Sequence, residues 1–216
     1  MSEVELLFVP GSQFGTFNIP AQAGIFYDLP KIKSCKILLK NGQIALLRPL
    51  VTGDKAKITK FLSKLSAETR HFYVLDNYGD KTADKLCESI GKPGKMHFVV
   101  EVPPSGIIAL VKFSLDLPEA DRLRYLRYGV KLVPGMVSRC GTCIADKYQN
   151  ISLGGITLQQ IINTSRHLGQ KVVMLSGGIF ADNGKAIHMV QKFGFKIVGR
   201  FTDSNGQAHV DMHCVI

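Results

Sequence analysis

The stretch Thr-Cys-Ile-Ala-Asp-Lys-Tyr-Gln-Asn-Ile-Ser-Leu-Gly-Gly-Ile-Thr-Leu, residues 142–158, decides how the rest of the chain is read. Thr142, Cys143 and Ile144 are β-formers, a polar turn follows over 146–150, and Leu153, Thr157, Leu158, Ile161, Ile162, Ser165 and Leu168 then recur at helical spacing. The reading is strand, tight turn, helix. Ser152, Gly154 and Gly155 fall where that helix begins, so its first amides are unpaired, barely shielded by side chains and aimed outward with the helix's positive end. Such an end accepts phosphate. A strand, glycine turn and helix also occur in ordinary α/β packing, so on this stretch alone anion binding and plain packing both stay open.

Working outward, residues 183–195 repeat the logic on a smaller scale. Asn183 suits an N-cap, Gly194 a helix stop, and Ala186, Ile187, Val190 and Phe193 give a short helix its apolar face. Between the two helices, 171–175 reads as a strand, and a strand, crossover helix and strand of this length form a right-handed parallel unit. On the other side, 96–102 and 107–115 are antiparallel strands joined by Pro103-Pro104-Ser105-Gly106. Asn41-Gly42 is a hairpin signal between 35–39 and 43–50, and Asn205-Gly206 another between 195–201 and 208–216. Ile58, Phe61, Leu62 and Leu65 give one face to a helix capped by Thr52 or Asp54, and a further helix over 80–90 stops at Gly91. The expected fold class is α/β, a central mixed sheet with helices on both faces.

Residues 116–137 lie between two strand segments, and their Pro118, Glu119, Asp121 and closing Gly129 mark a short helix. Its Arg122, Arg124, Tyr125, Arg127 and Tyr128 suit either a packing helix with solvated arginines or a surface that grips an acidic acceptor or nucleic acid.

The chain of 216 residues suits one domain with elaborations, and 45% hydrophobic against 20% charged residues is a globular composition. No apolar run approaches the ~20 residues that cross a bilayer, so no membrane partner and a cytoplasmic location are expected. A net charge of +10 attracts anionic partners, but the basic residues are scattered and no DNA-binding module is present, which makes nucleic acid an unlikely partner. Cys35, Cys87, Cys140, Cys143 and Cys214 are an odd, scattered set that reads as reduced thiols. Cys140 and Cys143 have metal-site spacing, yet residues three apart on a strand point to opposite faces and no second pair exists, so no metal is expected. Residues 1–40 read as a loop-rich extension, packed on the domain 41–216 or making homodimer contacts.

A Q-x-x-G-x-G-like turn opening a helix, then a strand, then N-x-x-A with a terminal G-F, resembles the GNAT superfamily of acyl-CoA-dependent N-acyltransferases. Gln149, Asn150, Ile151, Ser152, Leu153 and Gly154 fall on the first motif, with Ser152 where glycine is usual; Asn183, Ala186, Gly194 and Phe195 fall on the second. The segments LRPLVTGD and FLSKLSAETR look like the opening of the family's protein lysine acetyltransferase branch, so the resemblance runs over about 44–201. It implies a GNAT-like fold in which two parallel strands splay apart around the pantetheine of acetyl-CoA.

Carried onto this chain, the resemblance implies that Cys143, Ile144 and Ala145 lie beside the pantetheine and that amides from Gln149 through Asn150, Ile151, Ser152, Leu153 and Gly154 to Gly155 hold the pyrophosphate. Asn183 bonds the same cofactor or merely caps its helix. The Ile144 amide is the expected donor to the thioester oxygen, and the acceptor is an amine, on a protein lysine or N-terminus or on a small molecule. Two departures stand out. The lysine branch commonly has a glutamate where this chain has Arg139, and many members have a tyrosine where it has Val190. Glu101 is the candidate replacement base, with His209, Asp211 and His213 behind it. The expected function is therefore N-acetyl transfer from acetyl-CoA; an acyl-CoA-binding regulator with little catalysis is the alternative, and a basic nucleic-acid-binding protein is the third.

Overall fold

The computed structural model describes residues 34–216, so the expected extension lies outside the described residues up to position 33. The sheet opens with strands β1 (Cys35–Leu38) and β2 (Ile44–Pro49), paired antiparallel across the Asn41-Gly42 turn, where Gly42 takes a φ of +80°. Helices α1 (Lys55–Ser63), α2 (Ala67–Phe72) and α3 (Asp80–Glu88) follow, then β3 (Lys95–Val102), β4 (Gly106–Ser114), α4 (Glu119–Arg127) and β5 (Val137–Ile144). The chain continues through α5 (Leu153–His167), β6 (Val172–Leu175), β7 (Ile179–Phe180), α6 (Gly184–Gln191), β8 (Lys196–Thr202) and β9 (Ala208–Val215).

These nine strands form one mixed sheet in the order β1-β2-β3-β4-β5-β6-β9-β7, with β8 on the other edge of β9. Among the described residues only β5 and β6 run parallel; every other pair is antiparallel. Strand alternation sorts the core into two faces. On one, α1 and α3 bury Ile58, Phe61, Leu62 and Leu86 against Val99, Leu110 and Cys143. On the other, α5 and α6 bury Leu158, Ile161, Ile162 and Val190 against Val111, Phe113, Cys140 and Val173.

Helix α4 packs on the same face as α1 and α3 but at the far end of the sheet, with Tyr125 fully buried against Val137 and Met174. Arg124 bonds the buried Asp211 through Nε (2.5 Å) and Nη2 (3.0 Å), bonds Asp121 at 2.8 Å and lies over the Phe201 ring. The Tyr128 hydroxyl donates to Asp211 at 3.1 Å, and its ring passes so close to β8 that a Cβ on Gly199 would lie 2.3 Å from it. Of the basic and aromatic residues offered as a recognition surface, Arg124, Tyr125 and Tyr128 are therefore core fasteners, and Arg122 is paired with Glu119. Arg127 stays exposed, and the helix packs on the sheet through Arg124, Tyr125 and Tyr128, as the packing reading expects.

Helix α2 is the element that periodicity does not reveal. It is six residues long, too short to show an apolar repeat, and depends on Ser66, whose hydroxyl accepts from the Thr69 amide at 3.1 Å.

Candidate active site

The parallel pair is short. Val137–Cys140 of β5 lies beside Val172–Leu175 of β6, and the Ser176 amide closes the ladder on the Cys140 carbonyl at 2.8 Å. Gly177 and Gly178 then turn the chain away at φ of +73° and +72°, and β7 resumes against β9. A side chain at Gly178 is excluded, since its Cβ would stand 2.9 Å from Phe201 and from the Val210 carbonyl. Residues 141–144 consequently keep β4 on one side and, among the described residues, have no strand on the other.

Alternation decides which backbone groups face the gap. The Ala145 amide donates to the Ile108 carbonyl at 2.8 Å, so Gly141, Cys143 and Ala145 give their backbone to β4, and Thr142 and Ile144 turn theirs to the open edge. Of the three residues expected beside a pantetheine arm, only Ile144 offers backbone there. Cys143 is buried in the α1/α3 core and Ala145 is committed to the ladder. Thr142 was missed, although the period of two along a strand pairs it with Ile144.

A single 3-10 turn, Asp146–Tyr148, leads to α5. Asn150 (φ 60°) and Ser152 (φ 68°) take the left-handed conformation that non-glycine residues seldom adopt, a strain of order 1–3 kcal/mol each. The first helical bond runs from the Ile156 amide to the Ser152 carbonyl, which leaves the Leu153, Gly154 and Gly155 amides without helical partners. This end adjoins the open strand edge: a Cβ on Gly154 would lie 3.5 Å from Ile144 Cδ1 and 3.5 Å from Met189 Cε. Gly155 has a packing role as well, because its Cβ would stand 2.9 Å from the Phe193 ring.

The loop is braced from the opposite face. Asp146 accepts from the Ser66 amide (3.0 Å), the Ser66 hydroxyl and the Thr69 hydroxyl (2.7 Å). Burial pushes its pKa up, but the hydrogen bonds from Ser66 and Thr69 outweigh it and hold the carboxyl below its usual value. Gln149 Nε2 donates to Thr69 Oγ1 at 2.9 Å and to the Ile144 carbonyl at 3.1 Å, and the Gln149 amide bonds the Asp146 carbonyl. Gln149 is thus a brace between α2 and β5, and its amide is not free for an anion. Across the gap, α2 touches β7, with His71 and Phe72 ring centroids 5.0 and 6.0 Å from that of Phe180.

The remaining candidates separate clearly. Asn183 Oδ1 accepts from the Ala186 amide at 3.1 Å, the geometry of a helix cap. Glu101 is bound by Lys57 Nζ (2.5 Å) and by Arg48 Nη2 (2.6 Å) and Nε (3.1 Å), and these bonds, that from Lys57 first, pull its pKa below the usual value. A carboxylate so held is a weak proton acceptor, and it ties β2 and α1 to β3; the role of base does not suit it. Arg139 is paired with Asp121 (3.0 Å) and Asp116 (3.3 Å), anchoring α4, and Val190 lies in the core. Asp211 is consumed by Arg124, His209 lies between the Phe180 and Phe201 rings and bonds Asp203 at 3.2 Å, and His213 stacks on Tyr125. Cys140 and Cys143 sit on opposite faces, and burial pushes each thiol up to about 12. Neither is a thiolate nucleophile at neutral pH.

No family model matches the chain. An acetyltransferase from Pseudomonas aeruginosa is 28% identical over 131 residues, 61% of this chain and 64% of the relative's own length. Among solved structures, the GNAT domain of S. lividans PAT superposes with a TM-score of 0.64 at 14% identity, over 85% of this chain and 97% of that one. The spermidine N-acetyltransferase from Vibrio cholerae in complex with CoA and spermine gives 0.59 at 18% identity, over 79% and 95%. The ribosomal-protein-S5-alanine acetyltransferase from Vibrio fischeri gives 0.62 at 14% identity, over 79% and 92%. The chain has the GNAT fold, the curated relative it resembles in sequence is named an acetyltransferase, and none of these likenesses singles out the lysine acetyltransferase branch.

Proposed function

We propose that this GNAT-fold chain transfers an acetyl group from acetyl-CoA to a primary amine, on a protein lysine or N-terminus or on a small amine. The observation that carries the reading is the meeting of two sets of backbone groups without ladder or helical partners: the strand edge at Thr142 and Ile144, where Gln149 takes the Ile144 carbonyl and leaves the Ile144 N–H open, and the first amides of α5. An extended amide-bearing arm suits the first, because it replaces the missing ladder partner. A pyrophosphate suits the second. The residues that would hold acetyl-CoA are Thr142 and Ile144 through their backbone and Leu153, Gly154 and Gly155 through theirs, with Asn150, Ile151 and Ser152 shaping the turn.

When bound, acetyl-CoA supplies a thioester whose carbonyl carbon an amine can attack. The Ile144 N–H donates to the carbonyl oxygen as negative charge develops there. The amine nitrogen bonds to that carbon as the carbon–sulfur bond breaks, the sulfur keeps the bonding pair, and the proton lost by the amine passes to water. With Glu101 tied to Lys57 and Arg48, the acceptor reaches the site neutral through water or through its own low pKa.

A second reading, an acyl-CoA-binding regulator with little turnover, is favoured by Arg139 and Val190, fixed in ion pairs and in the core where the resembling enzymes keep proton-handling groups. Calorimetry with acetyl-CoA, followed in the same sample by thiol release with lysine peptides, free N-terminal peptides and small amines, separates the two. Binding with thiol release is the expected result. Binding without release with any amine selects the regulator, and no binding refutes both.

A further inference from the structure

We infer that the acceptor amine carries a carboxylate, and that Lys112 and Tyr73 hold that carboxylate beside the open edge of β5. The inference rests on the acyl-transfer reading above and names its acceptor class. Lys112 lies on β4, in register with Gly141 on β5 and His97 on β3, on the face that carries α1 and α3. Gly141 has no side chain, and a Cβ there would meet nothing within 4 Å. The position between Lys112 and the open edge at Thr142 is therefore open to at least the depth of a first side-chain carbon.

Lys112 and the tyrosine it lies over are two donors without an acceptor. The Lys112 ammonium lies 5.1 Å from the Tyr73 ring centroid and makes no hydrogen bond or ion pair among the described residues. Asp76, the carboxylate that acts on it electrostatically, is exposed and bound to Lys85 at 2.7 Å. The Tyr73 hydroxyl is buried and has no partner. An ammonium offers three donors and no acceptor, and a phenol has a proton to give, so the group that satisfies both has lone pairs and negative charge. Burial lowers the pKa of Lys112, a cost that a bound carboxylate offsets. Arg139 does not compete, because Asp116 and Asp121 already hold it. A polyamine would bring cations to a place that already holds an unneutralised one.

The test measures binding of glycine, β-alanine, 4-aminobutyrate and lysine, each against its carboxamide, by calorimetry to the full chain saturated with CoA. At least one acid should bind about tenfold or more tightly than its amide, a difference in the range of single charge-assisted contacts. Lys112→Met should bring acid and amide together, and Tyr73→Phe should narrow the gap, while CoA affinity and melting temperature hold. A persistent preference for the acid in the wild type, with no thiol release to any amine, refutes acyl transfer and leaves the carboxylate site standing. Equal binding of acid and amide in the wild type, or a preference that survives Lys112→Met, overturns the inference and leaves the ammonium serving only the Tyr73 ring.

Discussion

Replacing Ile144 by proline removes one N–H and, by the geometry of β5, no ladder bond. The Ile144 backbone faces the open edge, and the neighbouring bond from the Ala145 amide to the Ile108 carbonyl at 2.8 Å remains. Proline is tolerated in sheets at such unpaired edge positions. The isoleucine side chain is half-buried, so its truncation costs about 1–2 kcal/mol of stability. Ile144→Ala bears that same loss with the N–H intact, and the difference between the two variants isolates the donor. Loss of one oxyanion donor slows kcat by about 100- to 1,000-fold, or ~2.7–4 kcal/mol. Single-turnover thiol release at saturating acetyl-CoA measures it, with melting curves to establish that both variants fold. Ile144→Pro should fall about 100-fold or more below Ile144→Ala at similar acetyl-CoA affinity. Rates for the two within about fivefold would refute the assignment, since a tenfold effect is only about 1.4 kcal/mol.

Two further predictions concern stability. Burial, then the charges of Lys112 and Lys95, pull the pKa of His97 from 6.5 down to about 4, so the fold favours the neutral ring. Its contribution is complete above about pH 6.5 and is lost as pH falls towards 4, about 3 kcal/mol in all; urea titrations of His97→Gln should lose that much less stability than wild type between pH 7 and pH 4. Arg124→Met leaves Asp211 buried and uncompensated and should cost about 3–5 kcal/mol, whereas Arg124→Met with Asp211→Leu should recover most of it in the same melts.

The parts of this molecule that were legible beforehand are those whose chemistry is local. Helix α5 begins after Ser152 and ends with Gly169 at φ +73°, as the glycines and the spacing of Leu158, Ile161 and Ile162 require. The hairpins at Asn41-Gly42 and Asn205-Gly206 were equally plain. Helix α2 and the two-residue β7 were not, because each is held by long-range partners: Asp146 for the one, β9 for the other. In the site, residue type identified the helix N-terminus, but roles that depend on pairing were out of reach. Glu101 became an anchor because Arg48 and Lys57 converge on it from elements far away in the chain, and Gln149 became a brace because Thr69 stands opposite. Lys112 escaped notice because a lysine in an apolar strand looks like one of many until its lack of a carboxylate is seen.

The bridge from Thr69 through Gln149 to the Ile144 carbonyl has a thermodynamic consequence. It joins α2 to β5, the strand that the acyl-transfer proposal sets beside acetyl-CoA, so under that proposal an acceptor that bears on α2 and the acetyl donor are not independent guests. Whatever factor an acceptor imposes on acetyl-CoA affinity by moving α2, acetyl-CoA must impose on the affinity for that acceptor. Cutting the bridge with Gln149→Leu should therefore bring both factors towards one together, an equality that binding isotherms taken in either order can check.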